Sequence, residues 1–162
     1  MPTTYGRHVP SRVHSIHLAP GRRLPTKSVA SVEAEAGAGL VGDRYHGSRH
    51  RHVTVQALDD LDAAAEVLGR PVEPGLTRRN LTLDHGPVPT RPGERLRVGD
   101  VELEVVRIAA PCRLLDDWLG PGAMQALRSP RGGTVFRLLT SGTIAVGDEV
   151  APGWSASPPD PR

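Results

Sequence analysis

Residues 96–119, LRVGDVELEVVRIAAPCRLLDDWL, decide the fold and contain the chain's only cysteine. Leu96, Val98, Val101, Leu103 and Val105 form two alternating apolar runs on either side of Gly99-Asp100. A two-residue Gly-Asp loop reverses a strand tightly, so the segment reads as a hairpin. After Ile108, Ala109 and Ala110 lead to Pro111, whose fixed φ suits a first helical position. This predicts a helix over 113–119 with Cys112 in its first turn. Unbonded N–H groups and the helix dipole favour an anion there, and the adjacent Arg113 adds a full positive charge, so the thiolate is favoured over the thiol. A lone cysteine also reads as a small buried hydrophobe, and the residues by themselves leave both readings open.

On either side of this segment the chain reads as short strands with frequent Gly and Pro between them. Strands are predicted over 13–18, 28–35, 52–56, the 77–84 stretch TRRNLTLD, and 135–140, and GTIAVGDEV closes the pattern at 142–150. The clearest helix spans 57–68, with Leu58, Leu61, Ala65 and Leu68 on one face and Gly69-Arg70-Pro71 as its stop. Its Asp59, Asp60 and Asp62 are accounted for by the helix dipole. A second short helix is predicted over 122–128. The G-x-G-x-x-G at Gly37, Gly39 and Gly42 is not a dinucleotide fingerprint, because the polar DRYHGSRHRH follows where a helix would have to open. The implied fold class is mainly β, barrel-like, with two or three short helices. A chain of 162 residues makes one domain, expected over 11–152 with irregular or disordered ends at 1–10 and 153–162.

Composition narrows the function classes. One cysteine rules out an intramolecular disulfide and any zinc site needing paired thiolates. No stretch resembles a signal h-region or is long enough to cross a bilayer, so a reducing cytoplasm is the expected setting. Of 20 Lys and Arg residues only Lys27 is lysine, and a net charge of +2 with 3% aromatic residues argues against nucleic acid as a partner. His46, His50 and His52 lie within seven residues, yet no carboxylate or thiolate stands at a recognised ligand spacing from them.

The order GLVGDRYHG, RHVTV, GLTRRNLTL, an alternating hairpin, PC, RGG and GTIAVGDEV resembles the MOSC domain, the C-terminal module of molybdenum-cofactor sulfurases. The family pattern maps onto Gly42 and Asp43, Arg51, Gly75, Arg79 and Asn80, Gly99, Cys112, Gly132, Gly142, and Gly147 with Asp148. One departure is His52, where many members carry an amide after the arginine. The resemblance implies a β-barrel-like domain that carries sulfur on its cysteine, binds the molybdenum cofactor, or does both. Cys112 is then the persulfide-bearing residue or the metal ligand, and Asp43, Arg51, Arg79, Asn80, Arg131 and Gly132 are the cofactor-binding candidates, with Lys27 and Ser28 as further phosphate contacts. A soft thiolate suits molybdenum, and a cofactor phosphate needs cations or backbone N–H groups. The leading expectation is a sulfur carrier or transferase in molybdenum-cofactor maturation. The alternatives are a cofactor-dependent reductase of N-hydroxylated compounds and a non-catalytic cofactor- or nucleic-acid-binding module. Lys27 in a short loop is a poor Schiff-base residue, so pyridoxal phosphate is not expected on this chain. Sulfur would come from a separate cysteine desulfurase and pass to the cofactor or a molybdoenzyme.

Overall fold

The structure is a computed structural model that describes residues 9–153; the expected irregular ends lie almost wholly outside them. Seven strands close a barrel. In chain order they are β1 (Ser11–Leu18), β5 (Val53–Ala57), β6 (Leu81–Leu83), β7 (Arg95–Val98), β8 (Val101–Ile108), β9 (Thr134–Leu138) and β11 (Glu149–Pro152). Their hydrogen-bonded order is β11-β7-β8-β9-β5-β6-β1, and β11 pairs back onto β1. Closure leaves no unpaired edge within the ring. The short strand β2 (Lys27–Val29) lies outside the ring on β1, and β3 (Ser31–Glu35), β4 (Gly39–Leu40) and β10 (Gly142–Ala145) form a separate three-stranded sheet.

The predicted hairpin is β7–β8, with Val98 opposite Val101 across Gly99-Asp100. Gly99 has φ 57°, and a Cβ there would meet Asp148 Oδ2 at 2.7 Å. Only glycine fits that close approach. The Gly99-Asp100 and Gly147-Asp148 turns therefore pack against each other. The second of them, Gly147-Asp148, is not a hairpin: β10 and β11 belong to different sheets, and the turn carries the chain from one to the other. Leu96, Val98, Leu103, Val105, Phe136 and Leu138 fill the barrel interior with Ile16, Val53, Val55 and Leu81, all buried.

Helix α1 (Leu58–Leu68) ends as predicted, with the Gly69 N–H bonded to the Ala65 carbonyl at 2.8 Å. It is the crossover between the parallel strands β5 and β6. Leu61 and Ala64 pack in a second apolar cluster with Leu115 of α2 (Leu114–Leu119) and Ala123 and Ala126 of α3 (Ala123–Ala126). This cluster holds the segment after Cys112 over one end of the barrel. Three sequence expectations shift. The strand expected over 28–35 breaks at Ala30 into β2 and β3, which join different sheets. The 77–84 strand begins only at Leu81, because Pro74–Thr77 is a 3₁₀ turn and Arg78 takes a left-handed φ of 67°. Helix α2 begins at Leu114, so Cys112 lies just ahead of its first turn, its carbonyl accepting the Leu115 N–H at 3.0 Å.

Candidate functional site

A cleft of ≈ 710 Å³ opens where the loop after β1, the Asp43 loop, the 3₁₀ turn and the start of α2 meet. Cys112 lines it and is exposed. Asp43, Arg51, Arg79 and Asn80 line it as well, so the barrel gathers five of the predicted site residues from segments far apart in sequence. Arg131 and Gly132 are not in its wall. Arg131 Nη1 donates to the Ala126 carbonyl at 3.3 Å. Gly132 acts through its backbone: its carbonyl accepts Arg79 Nε at 2.8 Å, and a Cβ on it would stand 2.5 Å from the Leu127 carbonyl oxygen. Exposed Lys27 does not reach this cleft, and Ser28 lines a separate groove of ≈ 300 Å³ beside Trp118.

Asn80 joins the walls of the cleft. Its Oδ1 accepts the Thr54 N–H at 2.9 Å and the Thr54 hydroxyl at 3.1 Å, while Nδ2 donates to the His17 carbonyl and to Asp43 Oδ1, both at 3.1 Å. Asp43 Oδ1 also accepts the Ala19 N–H at 2.9 Å, and Oδ2 accepts the Tyr45 N–H at 3.2 Å. With those bonds made, Asn80 has no side-chain donor or acceptor left, and it and Asp43 shape the cleft.

Cations dominate the lining. Arg22, Arg23, Arg44, Arg51, Arg78, Arg79 and Arg113 all face the cleft, and among the described residues none of them is ion-paired. Arg79 is 6% exposed, with Nε and Nη2 held by the Gly132 and Ala110 carbonyls. Burial, then repulsion from Arg51, pulls its pKa down to about 10, so it stays cationic at neutral pH. Burial likewise lowers Arg51, with Arg107 and Arg44 adding to the effect. Arg51 and Arg44 lie over the Tyr45 ring at 4.3 and 4.4 Å, and the buried Arg51 Nε has no hydrogen-bond partner among the described residues. Such cations without counter-ions are costly unless an anion completes them.

The MOSC domain model matches residues 42–151 of the sequence. The chain belongs to the MOSC domain family. Its fold is similar to that of the YuaD protein from Bacillus subtilis, with a TM-score of 0.76 and 16% identity over 86% of this chain and 93% of that one. It is also similar to YiiM from Geobacillus stearothermophilus (TM-score 0.69, 18% identity, 90% of this chain and 76% of that one). YiiM from Escherichia coli gives 0.63 and 18%, over 92% and 71%. A search of curated proteins finds no match.

Sequence reasoning passed over Arg22, Arg23, Arg44, Tyr45 and Arg78, which also line the cleft of this MOSC-family chain. Arg78 ties the loop after β1 to the 3₁₀ turn through the Leu24 and Gly21 carbonyls, at 2.6 and 2.8 Å. The doubled arginines at 22–23 and 78–79 were the available signal. The three histidines do not converge, and no group of three or more His, Cys, Asp or Glu suited to a metal occurs among the described residues. His46 pairs with Glu35. His52 is a buried structural group whose Nδ1 accepts the Leu138 N–H at 2.9 Å and whose Nε2 donates to the Ser48 carbonyl at 2.8 Å. One acceptor and one donor is what an amide offers too, which accounts for the departure at this position.

Burial lowers the His52 pKa below 6.5. The unfolded chain therefore takes up the proton first as pH falls. The stabilisation is complete above about pH 6.5 and is lost progressively below it. Unfolding midpoints in urea should fall between pH 7.5 and 5.5, and His52→Gln should flatten that slope; an equal slope in the variant would exclude His52 as its source. Among the described residues no helix is long and apolar enough to cross a membrane.

Proposed function

We propose that the cleft binds the molybdenum cofactor, with Cys112 as a sulfur ligand to the metal, and that the protein reduces N-hydroxylated compounds with electrons from a separate donor. The observation that carries this reading is one exposed thiol in a cleft with seven arginines, none of them ion-paired among the described residues. The donor set fits the group: a thiolate is a soft ligand, and guanidinium forks match phosphate oxygens. Arg79 and Arg51 would hold the phosphate. Arg78 and Arg44 extend the same cationic wall, and Asn80 with Asp43 keeps the loops in place. Bound there, the cofactor would supply two-electron, oxygen-accepting chemistry beside a thiolate. Protein from a cofactor-producing host should carry near-stoichiometric molybdenum and pterin, and Cys112→Ser should lose reductase activity towards a hydroxylamine. Protein free of both molybdenum and pterin would overturn the reading.

Sulfur carriage is a second reading, favoured by the exposure of Cys112 and the absence of any other cysteine in the chain to resolve a persulfide. The Cys112 thiolate would take the outer sulfur of a desulfurase persulfide and return the desulfurase thiolate. Incubation with a cysteine desulfurase and cysteine should add one sulfur atom by intact mass, and Cys112→Ser should prevent it. No adduct under conditions that load a known carrier would exclude this role.

A further inference from the structure

The cleft holds free donors beyond those its own walls consume. Arg79 is nine-tenths buried, its Nε and Nη2 are spent on carbonyls, and its Nη1 has no partner among the described residues. Arg22, Arg23 and Arg113 stand exposed at the rim without hydrogen-bonded or ionic partners among the described residues. Three carboxylates line the cleft, Asp43, Asp116 and Asp117, the first two accepting neutral N–H groups, and they leave the seven arginines in clear excess. Cys112 sits in this field and is exposed.

The geometry points to Cys112 as a modification site for anionic low-molecular-weight disulfides of the glutathione class. The buried, incompletely bonded Arg79 and the arginine rim recognise the carboxylates of such a molecule, and the cleft is roomy enough for a tripeptide. The Cys112 thiolate attacks one sulfur of the disulfide, the S–S bond breaks, and a mixed disulfide forms. The other half leaves as a thiolate with the bond's electron pair, so the disulfide is itself the oxidant. Negative charge spreads over three sulfurs during the exchange, and the surrounding guanidiniums favour both approach and departure. With no second cysteine in the chain, only an external thiol can remove the adduct. The modification would fill the cleft assigned above to the cofactor, but its chemistry does not depend on that assignment.

The test uses the full chain from a host that does not make the cofactor, and three probes: dithionitrobenzoate (dianionic), dithiodipyridine (neutral) and cystamine (dicationic). Each rate is divided by that of a small neutral thiol peptide at the same pH. At low salt the normalised rate for the dianion should exceed that for the dication by about tenfold or more, and 1 M salt should bring the two towards parity. The triple variant Arg22→Gln, Arg23→Gln, Arg113→Gln, confined to exposed side chains, should lose most of the preference. Oxidised glutathione should leave one adduct on Cys112 by intact mass. Normalised rates within about twofold for all three probes, a faster dication, or an unreactive thiol would each overturn the proposal. Molybdenum content is measured separately, so failure here and failure of the cofactor reading are distinguishable.

Discussion

Asn80→Ala is expected to destabilise the fold by about 3 kcal/mol or more, measured as a drop in the urea midpoint at constant m-value. The side chain is 5% exposed and makes four hydrogen bonds to three separate segments: Thr54 on β5, the His17 carbonyl on β1 and Asp43 in its loop. Truncation leaves a buried N–H, a hydroxyl, a carbonyl and a carboxylate short of partners, and each such loss costs about 1–3 kcal/mol. Asn80→Asp should not rescue it, because it sets a second carboxylate against Asp43. A loss below about 1 kcal/mol would show that these segments are held by something other than Asn80.

Arg79→Met should have the largest effect on ligand binding with little effect on folding. In the free protein the substitution removes a buried cation that repels Arg51, and this offsets the two carbonyl hydrogen bonds lost with it. The wild type should gain thermal stability on adding phosphate, since an anion that binds only the native state raises it by mass action. In Arg79→Met the phosphate affinity should fall by roughly tenfold to a hundredfold, the value of a charge-assisted hydrogen bond of about 1.5–3 kcal/mol. Equal phosphate stabilisation of both proteins would remove Arg79 from the anion site.

The elements that the sequence shows clearly are those whose residues are partnered locally. The 96–108 hairpin and α1 follow from alternation, helical period and their stop residues, and both lie where those signals put them. Barrel closure through β11 onto β1 has no local signature, because it joins residues far apart in the chain. The turn at Gly147-Asp148 follows an alternating strand as Gly99-Asp100 does, yet it links two sheets, a difference decided by what Val13 and Arg12 bond across it. In the site, the family pattern around Cys112, Asp43, Arg51, Arg79 and Asn80 identified residues that share one cleft. It could not separate those that shape the cleft, Asp43 and Asn80, from those with donors left over, Arg51 and Arg79. Arg78 reaches the cleft through a left-handed φ that no residue type announces. A net charge of +2 averages over the whole surface and so hid the concentration of seven arginines in one place.

The most direct measurement of the central claim is X-ray absorption at the molybdenum edge on protein purified from a cofactor-producing host, compared between wild type and Cys112→Ser. A metal held by Cys112 should show one fewer sulfur neighbour in the variant, with the pterin still bound through the arginine wall. An identical sulfur count in the two proteins, or no molybdenum in the wild type, would contradict it.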